Sequence, residues 1–154
     1  MELTVDIAGL MIEELQASGL SDILLTRVDS GSWLATLEGK TPILVEWTND
    51  PGRLVLSSVL GRPTIEQRMA VFETLLSYNL LWEETGGARM AINGVEGKAL
   101  LIYDLHGNNL SYVLLGTVLT NFSQLVEMWR DYVQHEAPVA IPAAMSSEML
   151  HRRA

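Results

Sequence analysis

The chain contains no cysteine, which removes a disulfide framework and any thiolate metal site and suits a cytosolic protein. Basic residues are scarce. Ten Lys and Arg stand against nineteen Asp and Glu, for a formal charge of −9 and a pI near 4.7. That balance argues against nucleic acid as a partner, because phosphate binding relies on clustered Lys and Arg that release counterions. Long apolar runs are missing too. Ile23-Leu24-Leu25 and Tyr112-Val113-Leu114-Leu115 fall far short of the roughly 20 residues that cross a bilayer. The opening segment, Met1-Glu2-Leu3-Thr4-Val5-Asp6, is acidic where a secretory signal would be basic. The expectation is a soluble, unexported protein with no membrane insertion.

What is present is enough apolar material, 48% of 154 residues, to bury one core of ordinary size. No repeat or interdomain linker is visible, so residues 1–136 read as a single domain. The tail 137–154, with Pro138 and Pro142 among Ala and Ser, is expected to be mobile. Charge is uneven along the chain. Residues 1–50 carry nine Asp and Glu against Arg27 and Lys40. Such a surface serves solubility or steers a basic partner.

Residues 3–18 predict a helix with two apolar stripes, Leu3, Ile7, Leu10 and Leu15 on one and Val5, Ala8 and Ile12 on the other. Gly19 is placed to stop it. Strand signals follow at 23–28, 33–38 and 42–48, and the turn Asn49-Asp50-Pro51-Gly52 leads into a further extended run at 53–60. Together they read as an antiparallel meander. Leu44 points away from the Ile43, Val45, Trp47 row, which implies partial cover on both sides. Thr64 with Gln67 forms a capping-box pattern ahead of two apolar lines. One line is Ile65, Met69, Phe72, Leu76 and Leu80, the other Val71, Leu75, Tyr78 and Trp82. Gly86-Gly87 ends that helix, and 88–93 with 98–104 form a hairpin. The last element is a helix over 121–135, with 109–120 open between helix and strand.

Little in the chain carries catalytic chemistry. Asp104-Leu105-His106-Gly107-Asn108-Asn109 looks like the Asp-x-His-Gly of metal-dependent phosphoesterases, but the further ligands such a site needs are missing. A strand-ending turn is the simpler reading. Thr85-Gly86-Gly87-Ala88-Arg89 follows a helix and precedes a strand, the reverse of a phosphate-cradling loop. No Gly-x-Ser-x-Gly elbow is present. The residues therefore imply no enzyme, no cofactor and no metal. Core or interface packing is the default for Trp33, Trp47, Trp82 and Trp129, and Trp33 with Trp47 would make a peptide-binding patch if they shared an exposed face.

A family resemblance rests on residues 52–93. Gly52-Arg53-Leu54-Val55-Leu56, Leu60-Gly61-Arg62-Pro63, Leu75-Leu76-Ser77-Tyr78-Asn79-Leu80-Leu81-Trp82 and Thr85-Gly86-Gly87-Ala88-Arg89-Met90-Ala91-Ile92 resemble the pattern of the Tir-chaperone (CesT-like) family of type III secretion chaperones. The closing helix from Phe122 to Trp129-Arg130 is similar to that family's last helix. The resemblance implies an α+β fold, an antiparallel twisted sheet with three helices in the order α-β-β-β-α-β-β-α, forming a secretion-chaperone-like sandwich. It also implies a bacterial cytoplasmic homodimer that binds the N-terminal unfolded segment of a secreted effector and releases it at the export apparatus. Client binding is then expected at Val5, Ala8, Ile12, Trp33, Ile43, Val45 and Trp47, and the dimer contact at Met69, Phe72, Leu76, Leu80, Leu101 and Tyr103. The alternative is a non-enzymatic adaptor of similar fold that binds a folded partner.

Overall fold

The computed structural model of the chain describes residues 2–135, so the tail expected to be mobile lies outside the described residues. Thr4 opens the first helix, α1 (Val5–Ser18), its Oγ1 accepting from the Ile7 amide at 3.3 Å. Gly19 closes it in the left-handed region at φ 64°, a conformation glycine adopts without steric cost. Ala8, Met11, Ile12 and Leu15 make its buried stripe, and Leu10 faces solvent.

Four strands follow: β1 (Ile23–Asp29), β2 (Ser32–Leu37), β3 (Ile43–Thr48) and β4 (Arg53–Gly61). The run at 53–60 is thus a full strand, one more than the expected order contains. The chain then forms α2 (Arg68–Leu80), a single turn α3 (Trp82–Thr85), β5 (Arg89–Asn93), β6 (Lys98–His106), a short 3-10 turn at Gly107–Asn109, and α4 (Tyr112–Gln134). All six strands form one antiparallel sheet in the order β1-β2-β3-β4-β6-β5. The expected α+β class and hairpin are both present.

Two helix boundaries differ from the sequence pattern. Thr64 does not cap α2: the Gln67 amide bonds the Thr64 carbonyl at 3.1 Å in a turn, and the helix starts four residues after Thr64, at Arg68. Pro63, which is buried, and this turn take up the sharp change of direction after β4. At its other end α2 breaks at Leu81 (φ −87°, ψ 39°), which separates Trp82 from the helix it was expected to continue.

The undecided segment 109–120 is helix from Tyr112 onward. Ser111 Oγ caps it by accepting from the Leu114 amide at 3.2 Å. Its buried residues, Leu115, Val118, Leu119, Phe122, Leu125, Val126, Trp129 and Tyr132, recur every three or four positions. Alternation, as a strand requires, would bury a different set. β-Branching at Val113, Thr117 and Val118 therefore yields to the burial pattern.

Parity along each strand divides the sheet into two faces. Leu54, Leu56, Ser58 and Leu60 of β4, and Ala99, Leu101, Tyr103 and Leu105 of β6, are buried, and the residues between them are not. α4 packs on β4, α1 on β1 and β3, and α2 on β5. α1 and α4 cross closely at Gly116, where a Cβ would lie 3.0 Å from Leu15 Cδ1. α2 meets α4 through edge-on ring contacts, Tyr78 against Trp129 at 4.9 Å, and through a Tyr132 hydroxyl to Thr74 hydrogen bond of 2.9 Å. The result is two layers, one sheet and one tier of helices.

Candidate functional site

α2 carries apolar residues on both sides. Val71, Leu75 and Tyr78 turn inward and are buried. Outward, Met69, Leu76 and Leu80 are 75%, 66% and 79% exposed, and Ile65 before the helix and Trp82 after it are exposed as well, at 83% and 66%. Moving each such side chain out of water is worth roughly 1.5–3 kcal/mol, and packing among the described residues leaves that gain unused. Large apolar side chains exposed along one helix face are the kind of surface that meets another molecule.

Of the residues expected at a dimer contact, Met69, Leu76 and Leu80 lie on this surface and Phe72 is partly buried at its border. Leu101 and Tyr103 do not join it. They belong to the inward row of β6, buried at 0% and 5%, because a strand turns alternate residues to opposite faces. Leu100 and Ile102 are the ones β6 presents outward.

The expected client residues divide in a similar way. Ala8, Ile12, Trp33, Ile43 and Val45 are core, since α1 lies over the inward row of β2 and β3. A Cβ on Gly9 would come within 3.9 Å of the Trp33 ring, and Trp33 pairs directly with Val45. Trp33 therefore packs in the core and forms no exposed patch with Trp47. Val5 and Trp47 remain partly exposed. The uncovered row of the same strands holds Leu24, Leu34 and Leu44, with Asp22, Glu38 and Glu46 around them. Farther along this open face lie Val55, Val59, Leu100 and Ile102. Of these, only Leu44 stood out in the sequence. Both rows are apolar, so a period of two marks a strand without saying which row the helices take.

The residues with a catalytic look have structural partners. Asp104 stands between two cations on the open face, 3.3 Å from Arg53 Nε and 3.1 Å from Arg89 Nη2, and so stitches β4, β6 and β5 together. His106 is exposed at the end of β6. Among the described residues no three His, Asp or Glu side chains gather where they would hold a metal ion, and no helix is long and apolar enough to cross a membrane. Burial pushes the Tyr78 hydroxyl up to about 12, so it stays protonated and acts as a packing group. Gly86, at φ 64°, ends α3, and the Thr85-Gly86-Gly87 string is a helix stop.

Among the described residues, an exposed apolar helix face lies beside a sheet covered on one side only, which suits the binding of another protein. The chain belongs to the Tir chaperone protein (CesT) family, whose profile matches residues 13–130, from within α1 to within α4. Solved structures agree in fold. A chain of the HopA1–SchA chaperone–effector complex superposes with a TM-score of 0.65 at 13% identity, covering 85% of this chain and 98% of its own. A chain of the ExsC–ExsE complex gives 0.64 at 20% identity, with coverage of 92% and 100%. A chain of the heterodimeric ExoU–SpcU complex from the type III secretion system of Pseudomonas aeruginosa gives 0.58 at 12% identity, with 79% and 95% covered. No curated protein sequence matches the chain.

Proposed function

We propose that the protein is a cytoplasmic, non-catalytic chaperone of type III secretion that binds the N-terminal unfolded segment of a secreted effector and keeps it competent for export. Membership of the chaperone family over residues 13–130 carries this reading. Similar folds occur in a chaperone–effector complex and in a type III secretion complex. The chain has the surfaces such work needs. An extended client can lay apolar anchors on the open row of Leu24, Leu34 and Leu44, and no covalent chemistry is required; Val5 and Trp47 are partly exposed on the opposite, helix-covered side of the sheet. The acidic residues Asp22, Glu38 and Glu46 favour a client with basic residues between its anchors.

The α2 surface serves a second copy. Ile65, Met69, Leu76, Leu80 and Trp82 are apolar enough for a lasting self-contact and lie on a different element from the proposed client surface, so dimer and client need not compete. Light scattering after size exclusion tests the first part: a dimer is expected, and a stable monomer would refute it. Co-expression with the N-terminal segments of effectors encoded nearby tests the second, with a soluble, protease-resistant complex expected. Failure of every such segment to co-purify would remove the chaperone reading.

A further inference from the structure

α4 ends against one end of the sheet. Gln134, its last residue, donates through Nε2 to the Leu60 carbonyl of β4 at 3.1 Å and lies over Gly61, where any Cβ would collide with it. Arg130, one turn earlier, donates through Nη1 to Thr41 Oγ1 at 3.2 Å, in the turn between β2 and β3. The start of β1 and the close of β2 are at this same end, since Ile23 pairs with Leu37. Residues 136–154 therefore set out from here.

Two carboxylates stand at this end. One step beyond the Ile23–Leu37 pair, the register brings Asp22 beside Glu38. Ile23 is buried and Leu24 exposed, so by alternation Asp22 and Glu38 turn to the same open face as Leu24. Both are exposed, and among the described residues neither is in an ion pair. Like charges side by side on neighbouring strands repel unless a cation joins them. Lys40, two residues past Glu38, is on the helix side, close enough to Glu127 of α4 to help lower its pKa.

The chain beyond α4 has matching chemistry. From Ala137 to Ser147 it carries no charge, and Val139, Ile141 and Met145 are its large apolar side chains. Met149 and Leu150 follow, and His151, Arg152 and Arg153 make a basic end, against Glu136 and Glu148. Pro138 and Pro142 lack the amide hydrogens that a β-ladder needs, which suits a segment lying on the face of a sheet better than one joining its edge. Length is no obstacle. At ~3.3 Å per residue the segment spans up to ~60 Å, whereas the three strand spacings from β4 to β1 amount to about 15 Å.

We propose that residues 136–154 occupy the open row of their own chain. Val139 to Leu150 rest on Leu24, Leu34 and Leu44, and Arg152 and Arg153 pair with Asp22 and Glu38, so a client has to displace the tail before it binds. This rests on the chaperone reading and adds to it a competitor built into the same chain. A site that is open for only a fraction of the time binds more weakly by that fraction.

Because the chain has no cysteine, Ala154→Cys accepts a single nitroxide label on the full-length, isotope-labelled protein. In NMR spectra the label should broaden the amide signals of Leu24 and Glu38 and leave those of Leu76 and Leu80 sharp. Broadening at Leu76 and Leu80 instead, or at none of the four, would overturn the proposal. So would broadening of isotope-labelled chains by spin-labelled, isotope-free chains mixed with them, because the tail would then lie on a second copy. Arg152→Glu with Arg153→Glu should abolish the broadening, and adding Asp22→Lys with Glu38→Lys should restore it. A synthetic peptide of residues 136–154 should bind the Arg152→Glu, Arg153→Glu protein about tenfold tighter than wild type. Equal affinities, or no return of broadening in the fourfold variant, would each refute the tail contact. Co-purification of a natural effector segment is a separate readout. Its failure with the broadening intact removes the chaperone reading and leaves the tail contact standing, and its success without broadening does the reverse.

Discussion

α4 and α2 are both rich in apolar residues, yet α4 buries eleven of its twenty-three residues and α2 only three of its thirteen. α4 spends nearly all its apolar surface inside the chain, on β4 and α1. α2 needs Val71, Leu75 and Tyr78 for that purpose and carries a second apolar face that the fold does not use. One helix answers to folding, and the other, on the proposed function, answers to folding and association at once. A change in α4 should therefore cost stability, and a change on the outer face of α2 should cost oligomeric state.

The largest effect is expected at Trp129, which is fully buried between Tyr78 and Tyr132. Trp129→Ala should lower unfolding free energy by about 3–5 kcal/mol in urea titrations. Leu76→Asp comes next and sharpens the contrast. At 66% exposure the substitution should shift monomer stability by no more than about 0.5 kcal/mol. Placing a carboxylate in the proposed apolar contact should weaken association by at least about a hundredfold, read by analytical ultracentrifugation. Substantial unfolding by this variant would show that the α2 surface supports the fold itself, and the comparison between the helices would collapse. Gly116→Leu should cost about 1–3 kcal/mol, because the first added carbon would already lie only 3.0 Å from Leu15 Cδ1 and the rest of the side chain would push α1 away. A smaller loss would mean that α1 can back away from α4.

Glu127 gives the smallest effect and carries a pH dependence. Its Oε1 accepts from the Thr41 amide at 2.6 Å. Partial burial pushes its pKa up, but the Thr41 hydrogen bonds, with Arg130 and Lys40 nearby, outweigh that and hold it below the usual glutamate value. A depressed carboxylate pKa stabilises the folded state above the unfolded pKa, and the contribution fades as pH falls through the folded one. Glu127→Gln should therefore lose about 1 kcal/mol at most near neutral pH and nearly match wild type in acid. Urea midpoints at both pH values measure the difference.

Much of the fold was legible because period and punctuation agree along the chain. Gly19 ends α1 as expected, and the outer line Ile65, Met69, Leu76 and Leu80 was visible as a helical stripe. The strand rows were not legible. In β3 both Ile43 with Val45 and Leu44 are apolar, and only the distant α1 and α4 decide which side is core. The proposed client surface thus moved from the Trp33, Ile43, Val45 row to the Leu24, Leu34, Leu44 row. The same limit placed Leu101 and Tyr103 at a contact when they are buried. Thr64 misled for another reason. Its side chain fits a helix cap, but the chain needs those residues to turn after Pro63, and local preference yielded to the path of the backbone. The carboxamides of Gln16 and Asn79 leave no trace in periodicity at all, since the backbone groups of β1 and β5 that they bond lie seven to eleven residues farther along.

The position of α4 in the chain has a consequence for synthesis. Translation delivers β1 through β4 first and the helix that covers Leu54 and Leu56 last. Until residues 112–134 have left the ribosome, the part of the inner face that α4 covers is bare, in a half-made product prone to aggregate. On the proposed function, a protein that shields the unfolded segments of others begins as one itself, and a messenger cut short before Trp129 would leave it there.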